Sequence, residues 1–356
     1  MKIPVVRTPF SRELTALIVV LMVLAGSAFG KSKDDVVVMK NGDRLTGEIK
    51  GLEHGVLSFK AAYMVDSVQL DWDRVERLES KDTFVVGLNT GIRVTGGIAK
   101  VAATSDSDKD FKIVEASSTI VVKPTEVVGI QQHETNFWDQ LTGSINYGFS
   151  FSSGNSSTNS SLGANVGYST EKNGIQLAST QQFDSQSGGK NTNRFTFDSQ
   201  YARTITGKWI AAGLFSLLKS NQQDLDLRST YGGGMGRRLI QTGKTTLTTL
   251  GGAVYTHESY STQTSAVPTY NNAEGLAGLN FSTYRFKTLG ITSQLLIFPS
   301  ISDPGRVRLS SQSGVQIEIV RNLYWNFGLY DNVDSRPPVA APKNDLGITT
   351  SLGWKF

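Results

Sequence analysis

From residue 141 onward, apolar and polar residues change places at nearly every step. Leu141, Ile145, Tyr147, Phe149 and Phe151 alternate with Thr142, Ser144, Asn146, Gly148, Ser150 and Ser152. Leu162, Ala164, Val166 and Tyr168 then alternate with Gly163, Asn165, Gly167 and Ser169. A period of two is the mark of a strand whose two faces meet different surroundings. Similar stretches follow near 174–187, 192–206, 209–222, 228–240, 245–259, 272–284, 288–298, 307–320, 323–333 and 344–356. The pattern predicts about twelve strands, longer than the five or six residues usual in soluble sheets.

The connections between these stretches alternate in length. Those near 171–174, 206–208, 242–244, 285–287 and 321–322 are tight, whereas those near 187–191, 221–227, 262–270, 301–305 and 335–343 are mostly longer. The short connection near 154–155 is an exception on the longer side. Outer-membrane barrels have short periplasmic turns, longer outer loops and an even strand count. The expected fold is therefore all-β, an antiparallel transmembrane barrel of about twelve strands over residues 135–356.

The final stretch fits that scheme. Ile348, Thr350, Leu352, Trp354 and Phe356 share one face, and Asp345, Gly347, Thr349, Ser351, Gly353 and Lys355 share the other. An aromatic carboxyl terminus gains little in a soluble fold, where chain ends fray, but at a membrane interface it is well placed. Leu352, Trp354 and Phe356 are the candidate assembly signal, with the barrel assembly machinery as the expected partner. If the apolar faces meet outer-membrane lipid and lipopolysaccharide, then Arg194, Asp198, Glu274, Arg308, Gln312, Gln316 and Glu318 face the lumen.

Before the barrel lie two other segments. Residues 1–30 read as a signal peptide: Lys2, Arg7 and Arg12, an apolar run over 14–24, then small residues at Ala25, Gly26, Ser27, Ala28 and Gly30. Residues 31–134 repeat once. Gly42, Arg44, Thr46, Gly47 and Ile49 recur at one offset as Gly91, Arg93, Thr95, Gly96 and Ile98, and Trp72-Asp73-Arg74-Val75 is echoed by Pro124-Thr125-Glu126-Val127. Each copy reads as about five short strands, giving a tandem pair of small SH3-like or Sm-like β modules on the periplasmic side, able to share a core. Their periplasmic partner is left open. Arg44 and Arg93 are expected to pair with a neighbouring acid, Asp43 or Glu48.

Composition narrows the chemistry. The chain has no cysteine, which removes lipid anchoring, disulfides and thiol nucleophiles. Its net charge is +4, and loss of Lys2, Arg7, Arg12 and Glu13 with the leader leaves +2, so no nucleic-acid partner is expected. Hydrolysis by a barrel enzyme would need a His paired with a Ser near the rim. Only His257 lies in the barrel region, with Ser259 on the same face and no nucleophile motif around them. No catalytic residue, metal or cofactor is expected, and the glycines at 232–234 and 236 read as relief of crowding between bent strands.

Leu141-Thr142-Gly143-Ser144-Ile145-Asn146-Tyr147-Gly148, the run Ser152 to Asn159 and the end Gly347 to Phe356 resemble the salt-induced, YdiY-like outer-membrane barrels, a family of unknown function. The likeness covers residues 139–356. It implies fold and location, and it carries no catalytic residues to transfer. The expectation for function is a narrow passive channel or a structural envelope protein in the bacterial outer membrane. A membrane-embedded lipid hydrolase and a soluble periplasmic binding protein are the alternatives.

Overall fold

The computed structural model describes residues 34–100, 111–114, 119–133, 141–152, 157–170, 172–186, 191–261, 268–286, 288–320, 322–337 and 341–355. The leader assigned to 1–30 and the terminal Phe356 lie outside them. Residues 34–133 form a sheet of nine strands: β1 (Asp35–Met39), β2 (Arg44–Glu53), β3 (Val56–Lys60), β4 (Val68–Asp71), β5 (Val75–Leu88), β6 (Arg93–Lys100), β7 (Phe111–Val114), β8 (Thr119–Val122) and β9 (Val127–Gln132). The two copies meet in β5. Its first half pairs with β1 (Val36 opposite Glu79), its second half with β9 (Val86 opposite Ile130), and a register shift between Ser80 and Thr83 separates the halves. In each copy, then, the first and last strands pair.

One apolar core runs through both copies, with Ile49, Leu57, Phe59, Leu78, Phe84, Ile98, Ile113 and Ile130 fully buried. The 3-10 turns Trp72–Arg74 and Pro124–Glu126 occupy equivalent places, and Trp72 Nε1 donates to Pro124 O at 2.8 Å. Among the described residues, the acids expected to take the repeat arginines bond elsewhere. Asp43 accepts from Asn41, and Glu48 pairs with Lys50 at 2.6 Å. Arg93 instead donates to Thr170 O at 2.5 Å, in the second half of the chain.

That second half is a closed antiparallel barrel of twelve strands: β10 (Leu141–Ser152), β11 (Ser157–Ser169), β12 (Asn173–Gln186), β13 (Thr192–Thr206), β14 (Trp209–Ser220), β15 (Leu225–Gln241), β16 (Thr245–Tyr260), β17 (Thr269–Phe286), β18 (Leu289–Pro299), β19 (Val307–Val320), β20 (Leu323–Asp334) and β21 (Asn344–Lys355). The strand count and order match the alternation in the sequence. Several strands are longer than alternation alone indicates. β15 and β17 run 17 and 18 residues, with register shifts at Leu225/Leu227, Arg238/Ile240 and Thr283/Phe286. A bulge inserts a residue and reverses the faces beyond it, so pairing continues where the period of two stops.

The outer face is apolar and bare: Ile348 is 76% exposed, Trp354 53% and Leu352 52%. On the inner face of β15 and β16, a Cβ at Gly232 would come within 2.6 Å of Val254 Cα, and one at Gly234 within 2.7 Å of Gly252 Cα. Glycine is what allows these two strands to bend against each other.

Candidate functional site

The nine-stranded module sits on the barrel end that carries the tight turns. Lys244, between β15 and β16, reaches Asp73 at 2.6 Å, and Lys355 at the end of β21 reaches Glu53 at 3.0 Å. The turn joining β2 to β3 has two successive residues at positive φ, His54 (55°) and Gly55 (78°). This is the arrangement of a tight hairpin turn whose twist suits the strands it joins. It pushes the His54 ring onto Tyr284 of β17, with centroids 3.5 Å apart. At another contact, Gly91 (φ 89°) presses on the Gly207 backbone so closely that a Cβ would lie 2.6 Å from its carbonyl carbon.

Burial holds the His54 imidazole below its ordinary value against the opposing pull of Glu53, so at pH 7 the ring is neutral. A histidine with a depressed pKa contributes stability that is full above its unfolded value, about 6.5, and is lost as pH falls from there through its lower folded value. Docking of the module is therefore expected to weaken between pH 7 and pH 5, seen as faster amide exchange over residues 51–56. Exchange there that is unchanged by acid would count against the idea.

Between module and barrel lies a cavity of about 2100 Å³. Its barrel wall carries amides and hydroxyls, among them Asn146, Gln176, Thr180, Gln316 and Asn326. Three of the amides form a chain across the barrel seam: Gln316 donates to Asn326 at 3.0 Å, and Asn326 donates to Asn146 at 3.0 Å. The second bond passes over β21 because residue 353 is glycine. A Cβ there would overlap Asn146 Oδ1 and lie 2.7 Å from Asn326 Nδ2.

Toward the other end the lumen fills. Val254, Leu276 and Phe298 are buried together, with Leu214, Leu250 and Leu296 against them. Beside this cluster is a smaller cavity of about 160 Å³, lined in part by Asp198 and Gln312. Nearer the long connections, four arginines meet four carboxylates. Arg228 and Arg306 hold Glu258 at 2.6 and 2.8 Å, and Arg306 also holds Asp334 at 2.5 Å. Arg308 Nε donates to Glu274 at 2.8 Å and its Nη2 to Thr256 at 2.9 Å, while Arg194 reaches Asp345 at 3.2 Å. Glu258 and Glu274 are fully buried, and none of the eight is more than 8% exposed. Buried charges survive only when paired, and each of the eight has an opposite charge in contact, although Asp345 Oδ1 is left without a hydrogen bond.

The sequence-derived lumen positions divide among these levels. Arg194, Glu274 and Arg308 belong to the ion layer, Asp198 and Gln312 line the small cavity, and Gln316 and Glu318 line the large one. Asp198 accepts from Ser216 at 2.7 Å. Arg228, Glu258, Arg306, Asp334 and Asp345 complete the ion layer and are absent from the sequence-derived set. The available signal was the position of charged residues at the long-loop ends of polar faces. Leu352 and Trp354 face outward; Phe356 lies outside the described residues. His257 stands on the face opposite Glu258, with its Nδ1 2.7 Å from Asn271 Oδ1. Among the described residues no group of three or more His, Asp or Glu side chains is arranged to hold a metal.

These features define a closed twelve-stranded antiparallel β-barrel, filled in the half nearer the long connections and with a β module over its other mouth. The family model described as "Protein of unknown function, DUF481" matches residues 145–356, more than half of the chain, and the chain belongs to that family, the one its sequence resembles. No curated protein matches it. Among solved structures it is similar to the translocator domain of the autotransporter NalP from Neisseria meningitidis, at 16% identity and TM-score 0.33, covering 63% of this chain and 90% of that one. It is also similar to the NanC porin, at 11% identity and TM-score 0.35, covering 61% and 98%. The β domain of the Bordetella autotransporter BrkA matches at 10% identity and TM-score 0.32, covering 60% and 97%.

Proposed function

We propose that the protein is a non-enzymatic outer-membrane barrel, closed toward the outside, whose periplasmic half and amino-terminal module together enclose a polar chamber. A bare apolar exterior around a polar interior supports the membrane reading, because a closed barrel is the β architecture that satisfies every strand edge in lipid. Of the two expected roles, structural envelope protein fits better than passive channel, and the ion layer is the observation that carries this: side chains from β13 to β21 meet in the lumen with almost no exposed surface. Nothing around His257 favours a hydrolase. The full chain in planar bilayers should give no steady conductance. A stable ohmic current would overturn the closed reading.

Assembly is proposed to depend on the terminal strand and the barrel assembly machinery. Burying one aromatic ring is worth about 1.5 to 3 kcal/mol, which a fully paired barrel can absorb, whereas an unrecognised chain leaves open strand edges to aggregate. Deleting Phe356 should sharply lower the amount in the outer membrane, while the inserted fraction keeps a normal heat-modifiable gel shift. Normal levels after the deletion would remove the assembly role.

A further inference from the structure

We infer that the chamber between module and barrel is a binding site for a neutral oligosaccharide. The inference rests on the closed-barrel reading, in which a blind chamber retains a ligand and does not conduct it. What carries it is the hydrogen-bonding character of the wall. In the chain Gln316–Asn326–Asn146 the middle amide donates once and accepts once, yet an amide offers two donors and two lone pairs. The wall is thus held in place by its own bonds while keeping both a donor and an acceptor for something else. A sugar hydroxyl donates once and accepts twice, so a row of donor–acceptor pairs suits it.

Other ligand classes fit less well. An anion needs donors in excess, and a cation needs a group of carboxylates. Most charges at the rim are taken, with Glu53 on Lys355, Lys244 on Asp73 and Lys50 on Glu48; the exceptions on the lining are Glu318 and the exposed Lys172 and Arg285, which stand apart from the amide chain at the turns. Tyr324, two residues from Asn326 on the same strand and also on the wall, adds an aromatic surface beside the amides. Apolar or aromatic surface with a few fixed polar groups is how small-molecule sites orient a ligand. At about 2100 Å³ the chamber exceeds the roughly 300–1,000 Å³ of such sites, which points to several sugar rings.

The test is calorimetric titration of the full chain, in a detergent without a sugar headgroup, with maltohexaose, cellohexaose and chitohexaose. At least one should bind at submillimolar concentration, and Asn326→Leu should weaken binding at least tenfold in the fraction that keeps the heat-modifiable shift. Gln176→Leu, on the wall outside the amide chain, gives a second reading should Asn326→Leu fail to fold. No heat from any of the three sugars at millimolar concentration would overturn the proposal, as would wild-type affinity in both variants. Bilayer conductance is recorded on the same preparation. A closed, non-binding barrel refutes the sugar site alone, and a conducting, sugar-binding barrel refutes the closed reading alone.

Discussion

Glu258→Ala is expected to open the barrel and to destabilise it. Glu258 is fully buried and holds Arg228 and Arg306 at once. Its removal leaves two buried guanidinium groups with Asp334 as their remaining acid, at 3.6 Å from Arg228 and 2.5 Å from Arg306. Breaking a buried pair from one side costs about 3–5 kcal/mol, mostly through the charge left behind. Water entering to solvate those arginines would turn the layer from a seal into a path. The expected result is a lower unfolding temperature in detergent together with a conductance in bilayers that the wild type lacks. Replacing Arg308 and Glu274 together by leucine should do less harm than either change alone, because no unpaired charge remains. A Glu258→Ala variant that unfolds at the normal temperature and stays silent in bilayers would show that the ion layer neither seals nor stabilises.

The barrel was legible in the sequence because lipid outside and water inside impose a two-residue period on most strands. The period weakens where the inside stops being polar. β14 and β16 place Ile210, Leu214, Leu218, Leu250 and Val254 on the inner face, several of them in the buried apolar groups that fill the lumen. Both faces of those strands are then apolar, and alternation cannot tell one from the other. The ion layer was only partly visible for a related reason. Arg194, Glu274 and Arg308 fall within clean alternation, whereas Arg306 belongs to the connection before β19 and turns back into the lumen. Its partners are set by closure of the barrel, which brings residues 28 and 48 positions apart into one cluster. The amide chain was equally hidden, since Asn146 and Asn326 are 180 residues apart and meet only because the first and last strands are neighbours.

That seam is where the second large effect is expected. Among the described residues β10 and β21 share four register pairs, from Ser144–Lys355 to Tyr147–Leu352, whereas β10 and β11 share twelve. With so few backbone bonds closing the cylinder, the side-chain bond from Asn326 over Gly353 to Asn146 carries an unusual share of the closure. Gly353→Leu must displace that pair. Loss of the hydrogen bond is worth about 0.5–1.5 kcal/mol, and forcing a side chain into a filled position adds about 1–3 kcal/mol, concentrated on the weakest strand pair of the barrel. The variant should show a reduced folded fraction in the membrane and faster amide exchange in β10 and β21 than elsewhere. Thr349→Leu, on the same strand and face but opposite Gly328 and two register pairs from Asn326, should stay near wild type. Asn146→Ala combined with Gly353→Ala removes the atom that a new Cβ would strike, so it should recover part of what Gly353→Ala alone loses. Equal damage from Thr349→Leu and Gly353→Leu would mean that the chamber wall tolerates no added bulk anywhere, and that the bridge over Gly353 has no special part in closing the barrel.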